Sequence, residues 1–360
     1  MKNYAGKKVI ITGHTGFKGA WLTAWLKHLG ANIVGVSLDP PTTPSHYDAA
    51  KMSSGIEDIR LDIRNQKALT EIVASTKPDF VFHLAAQALV RKSYENPIET
   101  WQTNLIGTLN VLESLRTLNN PCSAIIITSD KCYENVEWIW GYRENDSMGG
   151  IDPYSASKGA AEIAIRSHVL SFFSSSSVRV ASARAGNVIG GGDWASNRII
   201  PDCVRAWSTG KYVELRNPHS TRPWQHVLEP LSGYLSLAIA LSANPSLHGE
   251  AFNFGPLAQQ NRSVINLVEE MAAHWDQVRW QDVSGNFEGP YESALLKLNC
   301  DKAMHYLKWY AALDFEDTVR MTAIWYRKYY ESPDRIFEVT NDQIISYIDK
   351  ARSQGLEWAK

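Results

Sequence analysis

Short apolar, β-branched runs alternate with amphipathic stretches through the first half of the chain. The runs fall at 8–12, 33–38, 59–63, 80–84, 124–128 and 178–183. Between them, helical spacing of apolar residues marks 18–29, 66–75, 100–118 and 155–173. This alternation predicts strand–helix–strand units, and so a parallel sheet covered on both faces. The apolar run Ala124-Ile125-Ile126-Ile127 suits a strand buried on both sides. Four serines at 174–177 break the preceding helix before the sixth strand.

Beyond residue 184 the rhythm lengthens. Gly190-Gly191-Gly192 is a turn, and helical patterns follow at 198–208, 228–241, 263–273 and 315–328. A short strand pattern at 251–254 ends in Gly255-Pro256. The expectation is two domains, 1–183 and 184–360, with a segment near 228–256 returning to the first.

Composition narrows the function classes. Apolar residues make up 44% of the 360 and charged residues 21%, enough for a packed core. With 36 Lys and Arg against 38 Asp and Glu, no basic excess points to nucleic acid or an anionic membrane. An anionic substrate must therefore meet local positive charge. The cysteines Cys122, Cys132, Cys203 and Cys300 are spaced for neither a disulfide framework nor zinc, and no metal is expected. The longest uncharged stretch, 230–249, carries two prolines, which suits a buried helix better than a membrane span. The N-terminus runs directly into the first strand without a secretory pattern, so the expected location is cytoplasmic.

Candidate chemistry begins where the first strand meets its helix, at Thr12-Gly13-His14-Thr15-Gly16-Phe17-Lys18-Gly19. Glycines so spaced permit a tight turn, close approach of backbone to a pyrophosphate, and close helix–strand packing. The free N–H groups of the helix start then face the phosphates. Dinucleotide binding is expected through Gly13, His14, Thr15, Gly16, Phe17 and Gly19. Asp62, followed by Ile63, either accepts from an adenine amino group or caps the helix that starts at Gln66. Leu84, Ala85 and Ala86 end the fourth strand with side chains small enough for a cofactor to lie against.

Ser129-Asp130-Lys131 closes the fifth strand pattern, and Tyr154 and Lys158 stand four apart on the next helix. That spacing puts the phenol and the ammonium on one face. An adjacent cation lowers a phenol's pKa, so Tyr154 is expected to act as the base for an alcohol proton while hydride leaves the carbon. Ser129 can bond the same oxygen, and Lys158 can also hold a nicotinamide ribose.

The glycine turn, the strand-end serine and the Tyr154/Lys158 pair, in this order, resemble the extended short-chain dehydrogenase/reductase superfamily along essentially the whole chain. More specific are three runs: Ser129 to Tyr133 followed by Trp138 to Glu144, Arg184 to Trp194 through Asn187, and Arg222-Pro223-Trp224-Gln225-His226. Together they resemble the CDP-D-glucose 4,6-dehydratase family, which makes CDP-4-keto-6-deoxy-D-glucose, the branch point toward 3,6-dideoxy sugars of bacterial O-antigens. The resemblance implies a Rossmann-like doubly wound α/β fold with a smaller mixed α/β C-terminal lobe for the nucleotide sugar. It implies CDP-D-glucose as substrate and NAD as cofactor. It also implies a homodimer or homotetramer built on helices 100–118 and 155–173. The alternatives are another nucleotide-sugar 4,6-dehydratase, or an epimerase or decarboxylase on the same fold.

A 4,6-dehydratase oxidises C4, eliminates water across C5–C6 and returns hydride to C6. Asp130 is expected to protonate the leaving 6-hydroxyl and Lys131 to take the C5 proton. Related hexose dehydratases carry Asp-Glu where this chain has Asp-Lys, a substitution that the resemblance gives as typical of the CDP-glucose branch. Lysine serves as a base only where burial or a neighbouring cation lowers its pKa, and His14 is a candidate helper. Asn187 and Arg222 match positions that hold the nucleotide diphosphate, and Tyr291 is expected near the ribose or base. The aromatic run 138–142 either walls the sugar pocket or packs as a loop.

One departure concerns the cofactor. The acid expected at the end of the second strand, where it binds the adenosine ribose diol, is Ser37, with Asp39 two residues on. No arginine stands between 37 and 41 to recruit a 2′-phosphate. The expectation is NAD, bound more weakly than usual, with NADP as runner-up.

Overall fold

The computed structural model describes residues 2–256, 260–276, 278–284 and 295–360. Seven parallel strands form one sheet. They are β1 (Lys8–Thr12), β2 (Asn32–Ser37), β3 (Glu57–Arg60), β4 (Phe80–His83), β5 (Cys122–Ile127), β6 (Val178–Arg184) and β7 (Ala251–Asn253). Their spatial order is β7-β6-β5-β4-β1-β2-β3. The order reverses between β1 and β4, so the strand ends there open a crevice of the kind that binds ligands in doubly wound sheets.

The principal helices are α1 (Phe17–His28), α2 (Gln66–Thr76), α3 (Gly107–Leu115), α4 (Pro153–His168), α5 (Leu228–Ala243), α6 (Phe315–Glu331) and α7 (Ile336–Ser353). Each face of the sheet buries its own apolar set. Ile10, Val36, Val81 and Ile126 pack with Leu69, Val111 and Ile165 on one side, and Ile11, Phe82 and Ile125 pack with Trp21, Leu231 and Leu235 on the other. The two faces explain why the strands read as unbroken apolar runs.

The segment 230–249 supplies the buried helix α5, which is covered along most of its length. β7 pairs in parallel with β6 at Ala251–Ser182 and Asn253–Arg184. The later chain also returns: Trp25 of α1 meets Tyr347 of α7 edge to face, with ring centres 5.6 Å apart. Helix α7 has no counterpart among the expected elements.

Three boundaries move. The third strand is Glu57–Arg60 and ends before Asp62, because Asp62 turns the chain by accepting from the Arg64 backbone at 2.9 Å. The helices expected at 100–118 and 155–173 each contain a wider π turn, Gln102–Ile106 and Val169–Phe173. Among the described residues, no helix is long and apolar enough to cross a membrane.

Candidate active site

The cleft lies at the strand ends β1, β2, β4 and β5, and its far wall comes from residues 185–224. Its empty volume is about 4780 Å³, open solvent included. The glycine turn forms the floor, and Gly13 and Gly19 are each required for a different reason. Gly13 has φ +77°, and a Cβ there would fall 2.6 Å from the Ala85 nitrogen. A Cβ on Gly19 would strike the Gly13 carbonyl oxygen at 2.0 Å. Gly16, at the N-cap of α1, meets only the Gly13 oxygen at 3.4 Å and leaves the helix N-terminus open to the cleft. That is a cradle for a pyrophosphate.

Around it, Thr15, Phe17, Ser37, Asp62, Ile63, Leu84, Ala85 and Ala86 all line the cleft. His14 does not. Its side chain is buried beneath β2, against Gly35, with Nε2 2.8 Å from Asp58. Burial keeps its pKa below the ordinary imidazole value despite the Asp58 carboxylate. The role of helper to Lys131 is therefore corrected: the ring points into the β2–β3 edge, away from β5.

The adenosine end also differs from expectation. The Ser37 hydroxyl is tied to Thr15 Oγ1 at 2.7 Å. Asp39 lines the cleft, and Arg60 Nε donates to it at 3.1 Å. Arg60 comes from β3, where it pairs with Ser37 across the ladder. An arginine thus stands beside this strand end after all, and only the parallel pairing of β2 with β3 brings it there. Asp62 does not cap the next helix, since Asn65 holds that position and Asp62 takes a two-pronged bond from Arg64 at 2.6 and 2.9 Å.

The reacting end is built from β5 and α4. Asp152 caps α4 through the Ser155 backbone, so the helix starts with Tyr154 in its first turn. Tyr154 and Lys158 both face the cleft beside Ser129, Asp130 and Lys131. The Ser129 hydroxyl donates to Asp130 at 3.0 Å and accepts from the Lys131 backbone at 3.2 Å. The Lys158 ammonium donates to the Ile127 carbonyl at 3.4 Å, and burial pulls its pKa down to about 8 against the pull of Glu162. Burial pushes the Tyr154 phenol up to about 12, partly opposed by hydrogen bonding with Ser129. The expected fall is therefore corrected, because desolvation of the phenolate outweighs the lowering by Ser129 and Arg198.

Asp130 sits directly over Gly186, where a Cβ would fall 1.8 Å from its carboxylate. Asn187, held at φ +51°, reaches the same carboxylate at 3.5 Å. Arg222 and Asn187 line the far wall, while Tyr291 lies outside the described residues. The run 138–142 packs as a loop: Tyr142 stacks on Tyr133 at 5.1 Å and lies 5.1 Å from Trp138, and none of the run lines the cleft.

Two cleft residues escaped the sequence reading. Arg198 pairs with Asp193 at 2.7 Å and lies close enough to Tyr154 to act on its charge. Lys18, inside the glycine motif itself, lines the floor, and burial brings its pKa down to about 8. Lys18 was visible as the one cation in that motif. Arg198 carried no signal, because only folding brings 198 near 154.

A family model described as GDP-mannose 4,6 dehydratase matches residues 10–322. The chain is 45% identical over 342 residues to CDP-glucose 4,6-dehydratase of Salmonella typhimurium, covering 93% of this chain and 95% of that protein. It is 26% identical to CDP-paratose 2-epimerase of Salmonella typhi, covering 73% and 82%. Among solved structures, dTDP-glucose 4,6-dehydratase from Bacillus anthracis in complex with NAD superposes with a TM-score of 0.74 at 18% identity, covering 92% of this chain and 100% of that one. The fold, the catalytic edge and these likenesses agree, and the chain belongs to the nucleotide-sugar 4,6-dehydratase family, alongside CDP-glucose 4,6-dehydratase.

Proposed function

We propose that this chain converts CDP-D-glucose to CDP-4-dehydro-6-deoxy-D-glucose and water, with NAD held across the cleft. One observation carries the reading: Ser129, Asp130 and Lys131 at the end of β5 face Tyr154 and Lys158 of α4 in a single cleft. An alcohol oxidation alone needs the serine, tyrosine and lysine. A second acid–base pair beside them suits an elimination. The 45% identity to CDP-glucose 4,6-dehydratase supports the choice of substrate.

In this reading residues 1–183 hold the cofactor and 184–360 the nucleotide sugar. The glycine cradle fits a pyrophosphate, and Asp39, rather than Ser37, presents a free carboxylate oxygen toward the ribose diol. When bound, NAD supplies the acceptor for the C4 hydride and gives it back to C6. Tyr154 takes the O4 proton, with Ser129 donating to the same oxygen and Lys158 and Arg198 offsetting the negative charge. Lys131 takes the C5 proton, which the C4 ketone has acidified, and Asp130 protonates the leaving 6-hydroxyl. Asn187, Arg222 and Arg198 face the diphosphate.

A homodimer or homotetramer is part of the reading. Ile106, Ile163, Leu170 and Phe172 lie exposed on α4, on the π turn that follows it and on the π turn that precedes α3. A second copy would cover them. The four cysteines are all free and buried, which suits a reducing cytoplasm.

The test is incubation with CDP-, dTDP-, UDP- and GDP-glucose. Only CDP-glucose should give a 4-keto product that absorbs in alkali. An epimer without that absorbance would overturn the reading. In Lys131→Met, exchange of the C5 proton into deuterated water should be lost. Normal exchange would move the base role elsewhere.

A further inference from the structure

Asp130 borders two spaces. One is the main cleft. The other is a small cavity behind it, about 10 Å³, lined by Asp130, Gln225, Asn261 and Lys297 with Gly186 and Leu298. That volume is about one water-sized sphere.

Two of the lining residues each carry a buried acceptor with no partner among the described residues: Gln225 Oε1 and Asn261 Oδ1. The Gln225 orientation is fixed by its other end. Gln225 is 2% exposed, and its Nε2 donates to the Gly186 carbonyl at 2.8 Å and the Phe254 carbonyl at 3.2 Å. Asn261 Nδ2 donates to Thr221 Oγ1 at 3.1 Å. Flipping the Gln225 amide would set oxygen against two carbonyls, so Oε1 is the end left without a partner. A buried acceptor left unsatisfied costs about 1–3 kcal/mol. One water has two hydrogens to give, which matches two orphaned acceptors, and its lone pairs remain for donors. Lys297, whose side chain carries such donors, also lines the cavity.

The proposed reaction creates a need for this site. Over one turnover Lys131 takes the C5 proton and later returns it, so it ends unchanged. Tyr154 gains the O4 proton. Asp130 loses a proton to the departing hydroxyl, which leaves as water. Asp130 must therefore regain one proton per turnover, and Tyr154 must shed one.

We propose that the cavity behind Asp130 holds a water, fixed by Gln225 and Asn261, that returns the proton to Asp130 from the side of Lys297. This rests on the role of Asp130 as acid given above. The transfer balances simply. A water O–H bond breaks as the Asp130 O–H bond forms, and a Lys297 N–H bond breaks as the water O–H bond is restored. Solvent then reprotonates the half-buried Lys297. No oxidant or further reactant is needed. Gln225 belongs to the Arg222–His226 run that stood out in the sequence, and this gives its amide a function there.

The test is rapid quench with CDP-glucose and cofactor-loaded enzyme. Lys297→Met removes the donor, and Asn261→Leu fills the cavity. Both variants should form product at the wild-type rate in the first turnover, since the proposed relay acts only after Asp130 has given up its proton. They should then slow by roughly tenfold, less than the ~10²–10⁴-fold loss of the acid itself. Imidazole should restore the later turnovers of Lys297→Met. Equal slowing of the first and later turnovers would show a structural effect and overturn the proposal, as would no slowing at all. A wild-type enzyme that forms no 4-keto product would instead sink the proposed function. Independently of any variant, a high-resolution crystal structure should show water bonded to Gln225 Oε1 and Asn261 Oδ1, and a cavity without it would also overturn the proposal.

Discussion

Two buried glutamates mark two differently built regions. Glu162 lies on the catalytic helix α4, two turns beyond Tyr154, and is 6% exposed. Burial pushes its carboxyl up, but Arg184 more than reverses this with a two-pronged pair at 2.9 and 2.8 Å, helped by Thr128 and Ser182. Arg184 continues to the Tyr133 hydroxyl at 2.7 Å, which donates to Asn253 at 2.8 Å. The network ties α4, β6, β7 and the turn that carries Lys131 into one block. Glu229, on α5, is 1% exposed and has only neutral donors: the Ala312 and Leu313 backbones at 2.9 and 2.7 Å and Tyr347 at 2.7 Å. Burial there pushes the carboxyl up to about 7. The catalytic edge keeps its charge by matching it with an opposite one. The C-terminal flank holds its acid with neutral donors, so burial raises the pKa instead of being reversed. A fixed charge resists movement of the strand ends that hold the reacting groups, whereas the acid that ties α5 to α7 can shed the desolvation cost of an ion by taking up a proton.

The sharpest way to break this contrast is at the chemistry the rigid edge supports. Tyr154→Phe should reduce turnover by roughly 10²–10⁴-fold, the range for loss of a general base. Its unfolding midpoint should stay near wild type. More than about a tenth of the wild-type turnover would remove Tyr154 from the role, since even the weak end of that range exceeds a tenfold loss.

Next is the pair itself. Arg184→Met leaves Glu162 buried without its cation, and destabilisation of about 3–5 kcal/mol is expected. Denaturant unfolding measures it. The double variant Arg184→Met/Glu162→Gln should regain part of that loss, because no uncompensated charge remains. A single variant as stable as wild type would mean that the edge is not held by charge.

Glu229 sharpens the other side. Its folded pKa is raised from 4.5 to about 7, so the contribution is fully present below the unfolded value and is lost as pH rises through the folded one. Wild-type stability should therefore fall between about pH 4.5 and 7 from this group. Glu229→Gln should flatten that slope. It should be up to roughly 3 kcal/mol more stable than wild type at alkaline pH, with little difference in acid. Parallel pH–stability curves for the two proteins would place the proton elsewhere.

The smallest effect is at the adenosine end. Asp39→Asn should weaken NAD by roughly threefold to tenfold, in line with about 1 kcal/mol for one hydrogen bond. Ser37→Ala should change NAD affinity less, because the Ser37 hydroxyl is already satisfied by Thr15. Titration of both variants with NAD decides the order, and a larger loss at Ser37 would restore it as the ribose contact.

Local pattern determined much of this protein. The apolar runs at 8–12, 80–84 and 124–128 needed no partner to be recognised, because strands buried on both faces carry their signal in consecutive residues. The glycine turn and the Tyr154–Lys158 spacing were likewise legible, since each demand is met within a few residues of chain. Tertiary structure alone decided the rest. Pairing of β2 with β3 set Arg60 beside Ser37 and Asp39, folding of the 185–200 segment brought Arg198 toward Tyr154, and burial set the direction of the Tyr154 pKa. His14 looked like a cofactor residue by position and turned out to be buried against Asp58. In each case the deciding term is desolvation or a contact between residues far apart in sequence, and neither is written in the order of amino acids along one segment.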